Sequence, residues 1–288
     1  MVDLMRKETG TQFLLQPVRD YSAAWLPHYG ANYFDYEPGG FDDCFPTITA
    51  STCPIRKGTG QSATIHFPGF GELWSLPWDY HISEESIHLA IRGVRFDYEF
   101  SKTIRLLAST IQIEYRLINF SGEPLPYIWS AHPLLEIQGG SRILLDKNVE
   151  AVMLEWASLE DIGKSGDILP WPWLSDRHDT NHAVSSSCED TFAMKLYTQA
   201  QATGYCGYER ADTSEKLLFE FDPPEIPYVG ISWGYNDRIG QTGNCHPLLS
   251  IQPSRGRPDS LQMACERHEH TILKAFGMDE WSLNISLT

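Results

Sequence analysis

Gln112-Ile113-Glu114-Tyr115-Arg116-Leu117-Ile118 alternates polar and apolar side chains residue by residue. Successive side chains on a β-strand point to opposite faces, so this stretch predicts a strand with one face buried and one in water. Working outward, short segments rich in β-branched and aromatic residues recur along the chain: 62–67, 88–94, 104–107, 111–118, 127–130, 142–145, 192–197, 217–221, 228–233 and 281–287. Ser121-Gly122, Gly139-Gly140 and Asp222-Pro223-Pro224 separate several of them as turn signals. Many short strands at this spacing predict an all-β sandwich or barrel.

Helical patterning is weak. Residues 260–269 predict one short helix with Asp259 as N-cap, and 158–162 a single turn. The polar stretch 164–190, with Pro170, Pro172 and Ser185-Ser186-Ser187, reads as a long surface loop. The strand pattern continues on both sides of it, so residues 1–288 are expected to form one domain. No repeat of 20–50 residues is visible.

At 288 residues the chain can bury a large core without staples. Its formal net charge of −16 argues against nucleic acid or an anionic membrane as partner. The six cysteines, at 44, 53, 188, 206, 245 and 265, form no C-x-x-C pair, so a zinc ribbon is not expected. No apolar run follows Arg6 and Lys7, so no signal peptide is expected. No run is long enough to span a bilayer. These features predict a cytoplasmic protein with reduced thiols, each a small buried hydrophobe. No metal cluster or cofactor motif is visible, and none is expected; the oligomeric state is not legible.

Four segments mix Gly or Pro with polar and aromatic residues, as where loops meet strands around a site. They are Gly-Gly-Phe-Asp-Asp-Cys-Phe-Pro-Thr-Ile (39–48), Phe-Pro-Gly-Phe-Gly-Glu-Leu-Trp-Ser-Leu-Pro-Trp (67–78), Ile-Trp-Ser-Ala-His-Pro-Leu-Leu (128–135) and Ile-Gln-Pro-Ser-Arg-Gly-Arg-Pro-Asp-Ser-Leu (251–261). Taken in this order, with Asn119-Phe120-Ser121, Gly230-Ile231-Ser232-Trp233 and the closing Trp281-Ser282-Leu283-Asn284-Ile285, they resemble the galactose mutarotase-like superfamily, which includes the aldose 1-epimerases. The resemblance runs from about residue 30 to the end. It implies a large antiparallel β-sandwich, the superfamily's supersandwich, with few short helices.

The resemblance also implies chemistry. In the family a carboxylate removes the proton of the anomeric hydroxyl while a histidine protonates the ring oxygen. Histidine titrates near neutral pH and suits the acid role; a carboxylate of raised pKa suits the base. His132 matches the family's acid histidine in its His-Pro motif. Gln252 stands where the family has Glu before Pro, and an amide cannot accept a proton at neutral pH. Phe70, in Gly69-Phe70-Gly71, stands where a His-Gly pair is common.

Asp42, Asp43, Glu72 and Glu136 are carboxylates within the quoted segments, and Asp43 or Glu72 is the expected replacement base. Each could equally be a turn-forming or solvated carboxylate. His66 precedes Phe70 by four residues, but Pro68 and Gly69 interrupt the strand between them. Arg255 and Arg257 could hold an anionic group on a ligand, or form a surface pair with Asp259. Trp74, Trp78, Trp129 and Trp233 could line a pocket or fill the core. The expected ligand is a small sugar or sugar derivative held between Phe70, His132 and Gln252, with Trp74, Trp129, Trp233 and Arg255 assisting. Three functions follow: an aldose 1-epimerase-like isomerase with ordinary mutarotation weak or lost, a sugar-binding protein without turnover, or altered chemistry on a modified sugar or other cyclic substrate.

Overall fold

The alternation at 112–118 becomes the strand Thr110–Asn119, in which Ile113, Tyr115 and Leu117 are buried and Glu114 and Arg116 exposed. The computed structural model describes residues 1–16, 26–36, 39–56, 62–159, 161–174, 180–185, 192–236 and 246–288. Cys188, Cys245 and parts of the expected loop 164–190 (175–179 and 186–190) lie outside the described residues.

Two eight-stranded antiparallel sheets dominate. One runs in the order Ile168–Pro170, Ala151–Ala157, Met194–Thr198, Tyr228–Asn236, His246–Ser254, Ser130–Pro133 and Phe41–Cys44, with Leu135–Glu136 also pairing to His246–Ser254. The other runs Arg142–Leu145, Tyr205–Glu209, Lys216–Phe221, Met278–Leu287, Thr110–Asn119, Tyr98–Leu107, Ser86–Arg92 and Asp79–Ile82. The sheets pack face to face over a core that includes Phe100, Tyr115, Trp129, Leu196, Ile251 and Trp281. Each such fully buried side chain stabilises the fold by roughly 1.5–3 kcal/mol. An ion pair crosses this core: Lys102 Nζ of the second sheet lies 2.7 Å from Asp43 Oδ2 of the first.

The helix forms at Leu261–Arg267, capped by Ser260 rather than by Asp259; the Ser260 hydroxyl accepts from the Met263 amide at 3.4 Å. The expected strand 127–130 divides into Leu125–Tyr127 and Ser130–Pro133, which belong to different sheets. The stretch expected to be surface loop contributes the short strand Ile168–Pro170 and buries Leu174.

Candidate functional site

Leu249-Ser250-Ile251-Gln252 alternates, and so do its neighbours in the first sheet. Leu249, Ile251, Met194, Leu196, Ile231 and Ala131 face the inter-sheet core. By the two-residue period of a strand, Ser250, Gln252, Lys195, Tyr197, Ser232 and His132 face the other way. On an ordinary half-buried sheet that face would be in water. Here Lys195, Gln252, His132 and Ser250 are all buried. They line a cavity of about 570 Å³ together with Asp259 and an apolar wall that includes Tyr33, Phe34, Phe70, Trp156 and Trp233. That volume falls within the range of small-molecule sites.

Lys195 organises the floor. Its Nζ donates to Gln252 Oε1 and lies 3.6 Å from Asp259 Oδ1. The same Asp259 oxygen accepts from the Tyr197 hydroxyl. The lysine reaches Gln252 because Gly230 stands opposite Gln252 in the register and carries no side chain. A Cβ at Gly230 would lie 3.1 Å from Lys195 Nζ and 3.1 Å from the Tyr197 ring. The Gln252 carbonyl is therefore committed to the lysine.

His132 pairs directly with Asp42 on the adjacent strand, so both side chains point to the cavity side. Tyr33 donates its hydroxyl to Asp42 Oδ2 at 3.0 Å and lies 3.5 Å from His132 Nδ1. Phe70 stacks on Tyr33 with ring centroids 4.1 Å apart and meets His132 edge-on at 5.3 Å. Its backbone has φ 60°, and the following Gly71 sits where a Cβ would overlap the Phe45 carbonyl. Burial first, and the positive charge of Lys195 second, push the His132 imidazole down to about 3. Burial likewise pushes the Asp42 carboxyl upward. At neutral pH His132 is therefore a neutral ring, able to share hydrogen bonds but carrying no extra proton to donate.

Of the residues singled out in the sequence, His132, Phe70, Gln252 and Trp233 line the cavity. Asp43 and Glu72, the expected replacement bases, do not. Asp43 is opposite Ala131 and so points into the inter-sheet core, where Lys102 and the Trp129 indole N–H (3.1 Å) hold it. Glu72 is fully buried and ties loops together, accepting from the hydroxyls of Tyr29 (2.7 Å) and Tyr98 (2.6 Å) and the amide of Arg95 (3.1 Å). Trp129 is core, and Trp74 packs edge-on against Tyr33 instead of entering the cavity. Arg255 bonds Asp279 at 2.8 Å and covers the Trp281 ring, while Arg257 bonds Glu269 at 2.7 Å; neither pairs with Asp259. His66 is exposed on the hairpin strand Ser62–Phe67.

Lys195, Asp259, Tyr33 and Trp156 were not found by sequence reasoning. One signal existed for Lys195: a lone lysine within the apolar run Phe192-Ala193-Met194-Lys195-Leu196-Tyr197. A charge in such a run is expensive to bury unless paired, and so marks a special site. Among the described residues no group of three or more His, Cys, Asp or Glu side chains could hold a metal ion. No helix among them is long and apolar enough to cross a membrane.

Two broad antiparallel sheets, with a ligand-sized cavity on the outer face of one, form a large β-sandwich. The chain superposes on a galactose mutarotase-like protein from Lactobacillus casei with a TM-score of 0.68 at 12% identity, covering 100% of this chain and 93% of that one. An aldose epimerase homologue from C. elegans gives 0.67 at 10% identity over 99% and 91% of the two chains. A galactose mutarotase-like protein from Clostridium acetobutylicum gives 0.65 at 13% identity over 100% and 88%. At these identities the likeness is one of fold. No protein-family model matches the sequence, and no curated protein does.

Proposed function

We propose that the chain binds a pyranose or pyranose derivative in this cavity, and that ordinary mutarotation is weak or lost. The observation that carries the reading is the Lys195–Gln252 hydrogen bond facing a neutral His132. Ring opening by the family's route needs a base at the anomeric hydroxyl and an acid at the ring oxygen. Gln252 cannot accept a proton, and its carbonyl is occupied. Losing a general base alone typically slows such reactions 10²–10⁴-fold. His132 is held neutral, which weakens the acid as well. The hydrogen-bonding groups needed for recognition remain: the Gln252 amide, the Ser250 and Ser232 hydroxyls, Lys195 and the imidazole. The half-exposed Trp156 ring, on the cavity wall, suits the C–H face of a sugar ring.

Calorimetry across D-galactose, D-glucose and their derivatives, with polarimetry on the same samples, tests this. Binding without anomer interconversion is expected. Binding to no sugar, or efficient mutarotation that disappears in His132→Ala, overturns it.

A second reading, altered acid–base chemistry on a modified sugar or other cyclic substrate, is supported by one observation: a carboxylate, Asp259, does line the cavity with His132. It predicts turnover abolished by Asp259→Asn.

A further inference from the structure

A second apolar cluster, apart from the inter-sheet core, contains Cys53, Phe67, Ile128, Leu261 and Ala264, with Cys265 packed against it. It is where the helix Leu261–Arg267 lies on the strand Ser51–Arg56. Polar bonds fix this contact. The Gln262 amide donates to Ser51 Oγ at 2.9 Å, and the Thr52 hydroxyl donates to Gln262 Oε1 at 2.6 Å. Between these bonds Cys53 and Cys265 lie as free thiols in the same packed cluster, the Cys53 thiol 3.8 Å from the Pro54 carbonyl, with His270 beside Cys265. His270 Nδ1 lies 3.1 Å from the Ala264 carbonyl, so that nitrogen carries a proton and the ring is held in place. Cys53 is buried, whereas Cys265 is partly exposed.

We propose that Cys53 and Cys265 form a redox-modifiable dithiol, oxidised to a disulfide by low-molecular-weight disulfides such as glutathione disulfide. The exposed Cys265 sulfur attacks one sulfur of the oxidant. A mixed disulfide forms and one thiolate leaves. Cys53 then gives up its proton and attacks the Cys265 sulfur, and the second low-molecular-weight thiol departs with that proton. The two protein sulfurs lose two electrons, and the oxidant is reduced to two thiols. The Cys53 thiol, and then His270, push the Cys265 thiol down to about 5, so the attacking group is a thiolate at neutral pH. The partner thiol of Cys53 is pushed upward, first by Cys265 and then by burial.

The pair has a structural consequence. Ala50 immediately precedes the strand that carries Cys53, and Asp259 precedes the capped helix that carries Cys265. Both line the cavity, and the Ile48 and Thr49 amides bond the Asp259 carbonyl at 3.0 and 3.1 Å. A disulfide here staples the two segments that flank one cavity wall.

The test uses the full chain. After incubation with glutathione disulfide, peptide mass spectrometry should find a Cys53–Cys265 cross-link that dithiothreitol reverses. Alkylation of Cys265 by iodoacetamide, followed by peptide across pH, should inflect near 5 in the wild type. In Cys53→Ser and Cys53→Ala the inflection should move upward. Glutathione that remains on Cys265 without a cross-link overturns the pairing. A wild-type inflection in the ordinary thiol range, about 8.5, overturns the thiolate assignment.

Discussion

Replacing His132 by glutamine keeps a hydrogen-bonding side chain of similar reach and removes the titrating ring. The ordinary histidine pKa is 6.5, and in the fold it falls to about 3 because the ring is buried and faces Lys195. The folded-state value lies below the unfolded one, so as pH falls the unfolded chain takes up the proton first. His132 therefore withdraws stability progressively between pH 6.5 and 3, and withdraws almost none above 6.5. At 1.36 kcal/mol per pH unit, the loss at pH 5 is about 2 kcal/mol. Asp42 and Glu155 move the other way: burial raises both, Glu155 to about 7, so each favours the fold as pH falls. Both are present in wild type and variant, and the comparison removes them to first order. Urea unfolding of the two proteins at pH 7 and pH 5 should show wild type losing about 2 kcal/mol more than His132→Gln. Equal losses, or an NMR titration placing the His132 ring near 6.5, would show that burial and Lys195 do not hold this ring neutral.

Other outcomes follow from the same geometry. Lys195→Met should destabilise the fold by about 3–5 kcal/mol, because Asp259 is left buried with Tyr197 but no cation; it should also raise the His132 pKa, read by the same NMR titration. Gly230→Ala should cost roughly 1–3 kcal/mol in thermal unfolding, since the added Cβ crowds Lys195 and Tyr197. Gln252→Glu alone should give no gain in polarimetric mutarotation, because Lys195 would pair with the new carboxylate and His132 would remain neutral; a gain from the single change would show that Lys195 does not control this position. Asp43→Asn should weaken the fold by about 3–5 kcal/mol, by leaving Lys102 unpaired, while sugar affinity by calorimetry stays unchanged.

Much of the architecture was legible because strand periodicity is local. The alternation at 112–118 states which side chains share a face, and Ile113, Tyr115 and Leu117 are the ones its sheet turns to the core; the strand His246–Ser254, which carries Gln252, was not among the expected strands. Gln252 and Phe70 also showed, as residue types, that the expected base and the expected histidine are absent. Asp43 and Glu72 misled because a carboxylate in a signature segment has no visible direction. A single residue of register, Ala131 opposite Asp43 rather than Asp42, turned the first toward the inter-sheet core. The helix cap at 260 rather than 259 shows the same sensitivity: one position freed Asp259 to face the cavity.

An all-β chain, the amide at 252 and the histidine at 132 are written in local residue patterns and residue types. What stands beside that amide and that histidine depends on how the strands pair. Lys195 is 57 residues from Gln252 along the chain, and it reaches that amide because the one strand between them in the sheet, Tyr228–Asn236, places Gly230 opposite Gln252 and leaves the space empty. Strand pairing sets such contacts through register, and burial then fixes the charge state of His132. Both are properties of the assembled sheets, not of any local run of residues.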